Sequence, residues 1–132
     1  MKAVKGEEIF LTTENKVGKL EEIARLIQEK GISIRAINAY AAEGKAFFRL
    51  VTSDNTKTKE ALMPAGKVES KEVIIAEMPD EIGQLHAFAS QLKNAGINLT
   101  HIYGTTSQPK GSAIIIFSSQ SNDKALEILS KA

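Results

Sequence analysis

The sequence contains no cysteine. That alone excludes disulfides, thiolate metal sites and cysteine nucleophiles. It also lacks any apolar run approaching the ~18 residues that suggest a membrane span. The opening Met1-Lys2-Ala3-Val4-Lys5-Gly6-Glu7-Glu8 has no apolar core of the length a signal peptide needs. The expectation is therefore a soluble cytoplasmic protein without a membrane partner. Excess charge is small: 17 basic side chains face 16 acidic ones, for a formal net charge of +1. A general nucleic-acid binder carries a larger or more clustered positive excess, so nucleic acid is not an expected partner. No HExxH, paired CxxC, GxSxG, Walker loop or GxGxxG occurs. What is present is ordinary globular material. Of 132 residues, 42% are hydrophobic and 25% charged, which leaves enough apolar mass for a core.

The chain repeats itself. Val17-Gly18-Lys19-Leu20 matches Ile82-Gly83-Gln84-Leu85, and at the same spacing Gly31-Ile32-Ser33-Ile34 matches Gly96-Ile97-Asn98-Leu99. Between these anchors Leu20, Ile23, Ala24 and Ile27 meet Leu85, Phe88, Ala89 and Leu92. Those are the i, i+3, i+4, i+7 positions of one helix face, kept in both copies. After two extra residues in the second copy, Gly44 meets Gly111 and Phe47-Phe48 meets Ile114-Ile115.

Each copy has the same reading. In the first, Ile9 to Thr13 is a strand, Glu14-Asn15-Lys16 a turn, and Val17 to Lys30 an amphipathic helix. Gly31 sits where a helix stop wants a left-handed residue. The next strand, Ile32 to Ala41, alternates Ile32, Ile34, Ala36 and then slips to Ile37, Ala39, Ala41, which predicts a bulge. Glu43-Gly44 makes a hairpin turn to a strand over Ala46 to Thr52. Ser53-Asp54-Asn55 offers caps for a short helix ending near Met63. Residues 67–78 carry little punctuation and read as one copy's last strand running into the next copy's first. The second copy continues with a helix from Ile82 to Ala95, strands from Ile97 to Thr106 and Ala113 to Ser118, and a helix from Asp123 to Lys131. The fold class is α+β. Two ferredoxin-like βαββαβ repeats, 1–70 and 71–132, share a continuous antiparallel sheet with helices on one face, and the second lacks its last strand. A ~60-residue unit alone is marginal, so the copies are expected to pack together. Pairing through the second strands, Ile32–Ala41 and Ile97–Thr106, would close both edges.

Chemistry is sparse. His86 falls on a helix at the position of Glu21 and reads as solvent-facing. His101 lies at the strand slip and reads as a half-buried structural histidine. Glu21, Glu22 and Glu29 belong to a solvated face with i,i+4 pairing. Asn98-Leu99-Thr100 is a glycosylation sequon inside a predicted strand. The repeated turn remains: Asn15-Lys16-Val17-Gly18 and Asp80-Glu81-Ile82-Gly83 each stand at a strand-to-helix junction. Free N–H groups and the positive end of a helix dipole suit a small carboxylate. A helix glycine that merely allows close packing is the other account.

The pattern Asn/Asp-x-x-Gly-x-Leu, an amphipathic helix, then Gly-Ile-Ser/Asn-Ile/Leu, resembles the ACT domain, twice over nearly the whole chain. It is similar to the small stand-alone tandem-ACT proteins. The resemblance implies a non-enzymatic, allosteric regulatory protein that needs no cofactor or metal. It would bind an amino acid or similar small metabolite between paired domains. The implied contacts are Asn15, Val17 and Gly18 or Asp80, Ile82 and Gly83 from the turns, with Ser33 and Asn98 from the second strands. Val17 and Ile82 stand where the family usually has proline. Paired as above, Asn15 and Gly18 would share a site with Asn98, and Asp80 and Gly83 one with Ser33. In the weaker second site Asp80 would cap the helix itself. The apolar third strands predict a homodimer that covers the sheet's second face. The alternative implied is a regulatory subunit or repressor that acts on an enzyme by contact, with vestigial ligand sites. Glycine-cleavage-type repressors and acetolactate synthase small subunits are the family analogies.

Overall fold

The computed structural model describes residues 1–130. The elements follow in the order β1 (Lys2–Glu14), α1 (Lys19–Glu29), β2 (Ile34–Ala42), β3 (Lys45–Thr52), α2 (Asn55–Leu62), β4 (Lys67–Pro79), α3 (Gln84–Asn94), β5 (Leu99–Thr106), β6 (Ser112–Ser119) and α4 (Asn122–Ser130). Lys131, the expected end of the last helix, lies outside the described residues. A six-stranded sheet has the order β2-β3-β1-β4-β6-β5. The expected pairing of the two second strands is therefore not formed within one chain. β2 pairs with β3 and β5 with β6, and each stands at an end of the order. The places between the third strands are taken by two strands of 13 residues, β1 and β4.

The chain divides into two compact units: Glu7–Lys71, and Glu72–Ala132 together with Met1–Gly6. The division falls inside both long strands. Among the described residues no strand follows α4. The segment Lys2–Gly6, which the sequence reading left outside any element, is grouped with the second copy. The Ile75 side chain lies over Gly6: a Cβ there would lie 2.7 Å from Ile75 Cδ1. Lys5 forms an ion pair with Asp123 at the start of α4.

In the Glu7–Lys71 unit, alternation along β1 and β3 sends Ile9, Leu11, Ala46, Phe48 and Leu50 inward. There they meet Ile23 and Ile27 of α1 and Leu62 of α2. In the other unit Ile74, Met78 and Phe117 meet Phe88 and Leu92 of α3 and Ala125 and Leu129 of α4. Phe88 and Phe117 pack edge to face. In each unit both helices thus cover the same face of its strands.

The local signals act where expected. The register of β2 shifts between Ile34 and Ala36, and that of β5 between Leu99 and His101. Glu43 and Gly44 both take positive φ, the two-residue turn that suits the twist of a hairpin. Asp54 caps α2 by accepting from the Lys57 N–H at 3.0 Å. Helices α1 and α3 each begin two residues after the apolar period does, because Gly18 and Gly83 are left-handed, with φ 89° and 88°.

The second face of the Glu7–Lys71 unit is less bare than its apolar strand suggested. Tyr40, Phe47 and Phe10 stack in a row, and Arg49 and Lys71 lie over the Phe10 ring. Phe10 and Phe47 are half-buried. The exposed apolar side chains gather instead at the turns and edge strands. They include Val17, Leu20 and Ile37 in one unit and their repeats Ile82, Leu85 and Ile102 in the other; Val4, Tyr40 and Met63 are exposed as well.

Candidate functional site at the strand-to-helix turn

In the Glu7–Lys71 unit β1 ends at Glu14, and the Asn15 N–H donates to the Gly44 carbonyl at 3.2 Å. The chain turns through Lys16 and Val17 to Gly18, whose carbonyl accepts the first helical bond, from the Glu22 N–H at 3.0 Å. No side chain caps α1. The Lys19 N–H donates to the Lys16 carbonyl, while those of Leu20 and Glu21 have no acceptor among the described residues. They form the free, electropositive start of the helix. The Asn15 carboxamide makes no hydrogen bond among the described residues.

A hollow of about 460 Å³ opens beside this turn. It is lined by Asn15, Lys16, Gly18, Lys19 and Leu20, and by the core-facing side of β2 and β3 at Ile37, Ala39, Ala46 and Phe48. The two lysines at its rim are held by their own acids. Lys16 bonds Glu14 at 2.7 Å, and Lys19 bonds Glu22 at 3.1 Å. The Lys16 hydrogen bond, reinforced by its charge, holds the Glu14 carboxyl below its ordinary range. The same bond raises the Lys16 ammonium above its own.

The corresponding turn of the other unit is built differently. Gly83 again opens the helix without a side-chain cap. The expected capping by Asp80 is not made. Its Oδ2 accepts instead from the Lys110 N–H at 3.1 Å, and its own N–H donates to the Gly111 carbonyl at 2.8 Å. Asp80 is tied to the loop between β5 and β6, which the hairpin loop's two extra residues allow.

The structure thus brings Asn15 and Gly18 together with β2 of their own copy, through Ile37 and Ala39. Val17 is beside them but turned wholly to solvent, as is Ile82. Ser33 and Asn98 are exposed at the entries to β2 and β5. Their backbones are tied to Ser53 and Gln120. Ile37, Ala39, Ala46 and Phe48 were not singled out by the motif. The slip in the strand pattern that carries Ile37 and Ala39 to the core side was the signal for two of them. His86 is exposed on α3, and His101 is half-buried with its ring stacked on Tyr103. No group of three or more His, Asp or Glu among the described residues has the arrangement to hold a metal ion. No helix among them is long and apolar enough to cross a membrane.

A family model described as an ACT domain pair matches residues 3–132. The chain belongs to that family. The match covers both repeats. Among solved structures, protein BT0572 from Bacteroides thetaiotaomicron superposes with a TM-score of 0.90 at 22% identity, over 98% of this chain and 89% of that one. The regulatory subunit of aspartate kinase from Thermus thermophilus, in its ligand-free form, gives 0.67 at 14% identity, over 98% and 95%. Aspartokinase alpha and beta subunits give 0.65 at 17%, over 99% and 96%. No curated protein matches the chain significantly. At these identities the solved structures share the ACT-pair fold.

Proposed function

We propose that this ACT pair is a non-catalytic, cytoplasmic regulatory protein that binds an amino acid or a similar small metabolite. The observation that carries the reading is the hollow beside Gly18, where free helix N–H groups, an unengaged carboxamide and apolar walls meet. Such a set suits a small zwitterion: N–H groups for its carboxylate, the Asn15 carbonyl for its ammonium. The ligand lies at an interface between paired ACT domains of a homodimer. Because β2 and β5 end the sheet order, a contribution from Asn98 to the Asn15 site, or from Ser33 to the Asp80 site, comes from the partner subunit, β2 of one protomer pairing with β5 of the other. Binding then shifts a conformational or oligomeric equilibrium by preferring one state. A thermal-shift screen against the twenty amino acids tests this. A ligand at a hundred times its Kd adds roughly 2.7 kcal/mol of stability, and a silent screen removes the reading.

A second reading is a regulatory subunit that controls an enzyme by contact, its ligand sites vestigial. It is supported by the separate regulatory subunit of aspartate kinase among the structural neighbours, and by the wholly exposed Val17 and Ile82. A silent screen together with a defined enzyme recovered by pull-down would favour it.

A further inference from the structure

We infer that each chain carries one working site, that of the Glu7–Lys71 unit, and that this site selects an amino acid with an apolar side chain. The inference rests on the amino-acid reading above and narrows it.

The selectivity follows from the hollow. Past the polar rim of Asn15, Lys16 and Lys19, its lining is hydrocarbon: Leu20, Ile37, Ala39, Ala46 and Phe48. The small side chains of Ala39 and Ala46 leave the room. Ala39 stands opposite Phe48 in the β2–β3 ladder, and Phe48 is almost wholly buried. Both rim lysines are already paired with Glu14 and Glu22. A ligand carboxylate and ammonium are satisfied at the turn, but a second polar or charged group carried into the hollow meets no partner and loses its water. Aliphatic side chains lose nothing there and gain by burial.

The single site follows from two differences at the other turn. First, Asp80 spends its carboxylate on the Lys110 N–H, so the loop over residues 107–111 is fastened across the turn. In the Glu7–Lys71 unit only the backbone bond from Asn15 to Gly44 is made. That fixed carboxylate also repels an incoming one. Second, the floor is filled. Gly104 takes the ladder position of Ala39, opposite Ile115 as Ala39 is opposite Phe48. A Cβ on Gly104 would meet Ile115 Cδ1 at 2.5 Å and the Ile114 carbonyl oxygen at 2.7 Å. The Ile115 side chain lies down on the strand where the first unit keeps a cavity.

Titration calorimetry of the full chain with leucine, valine, threonine, lysine and aspartate tests both parts. Expected are saturable binding of leucine or valine at one ligand per chain, and threonine, the isostere of valine, roughly a hundredfold weaker. Ala39→Leu, which fills the hollow, and Ala39→Asp, which keeps it small but charges it, each weaken binding at least about a hundredfold while circular dichroism is unchanged. Ala39 is exposed, so the fold tolerates either. Asp80→Asn leaves stoichiometry and Kd as they were. Two ligands per chain, or loss of binding in Asp80→Asn, overturns the single site. Tightest binding of threonine, lysine or aspartate overturns the apolar selectivity and leaves the amino-acid reading standing. If none of the twenty amino acids binds, the reading itself falls and takes this inference with it.

Discussion

Glu8 is fully buried on the face of β1 turned away from the helices, a position few carboxylates occupy without a cation. Arg49 supplies one: its Nη1 donates to Glu8 Oε1 at 2.8 Å, and its guanidinium carbon sits 4.5 Å from the centre of the Phe10 ring. The guanidinium is itself mostly buried, so solvent screens the pair little. Arg49→Ala removes a charge partner of a buried acid and is expected to cost about 3 kcal/mol of stability, measured by urea denaturation. A loss below about 1 kcal/mol would mean the pair is not what keeps Glu8 inside. Half of this pair was legible in the sequence. Alternation along Phe47-Phe48-Arg49-Leu50 puts Arg49 opposite the core residues. Glu8 was not, because the strand was read as beginning at Ile9: two adjacent glutamates look like a solvated lead-in until a cation is brought over them by a partner strand.

At the level of elements the repeated turn is the informative unit. Gly18 and Gly83 are both left-handed, and a Cβ on either meets nothing within 4 Å, so an alanine there suffers only from its backbone angle. Gly18→Ala and Gly83→Ala are expected to cost similar amounts, roughly 1–2 kcal/mol each, in thermal unfolding. Ligand binding separates them: Gly18→Ala loses it and Gly83→Ala keeps it. The reverse pattern would assign the site to the other turn. Both bulges and the Asp54 cap were legible, because a broken alternation and an Asp before a helix are local signals with local causes. The walls of the hollow were not, for a strand-to-helix motif says nothing about which cross-strand residues are small. That Ala39 lies open and Gly104 is covered depends on the side chain opposite, Phe48 or Ile115, and pairing is a tertiary fact.

On the scale of the whole molecule the repeats were legible and their arrangement was not. Sequence alternation reports which face of a strand is apolar, but not which strand is its neighbour, so the second strands were expected to pair and instead end the sheet order. Their exposed Ile37 and Ile102 make the unpaired edges a natural place for a second chain. Light scattering is expected to give twice the 14.3 kDa chain mass at micromolar concentration, and Ile37→Lys to return the monomer. A monomeric parent would remove the homodimer. The sharing of the two long strands also sets an order of events in time. Everything the Glu7–Lys71 unit needs is contiguous, so it is complete once residue 71 has left the ribosome. The other unit must hold Lys2–Gly6 in waiting until α4, whose Asp123 meets Lys5, has been made. Closing so long a loop slows assembly. The Glu7–Lys71 unit is thus free to form first, and Lys2–Gly6 find their places only after α4 has been made.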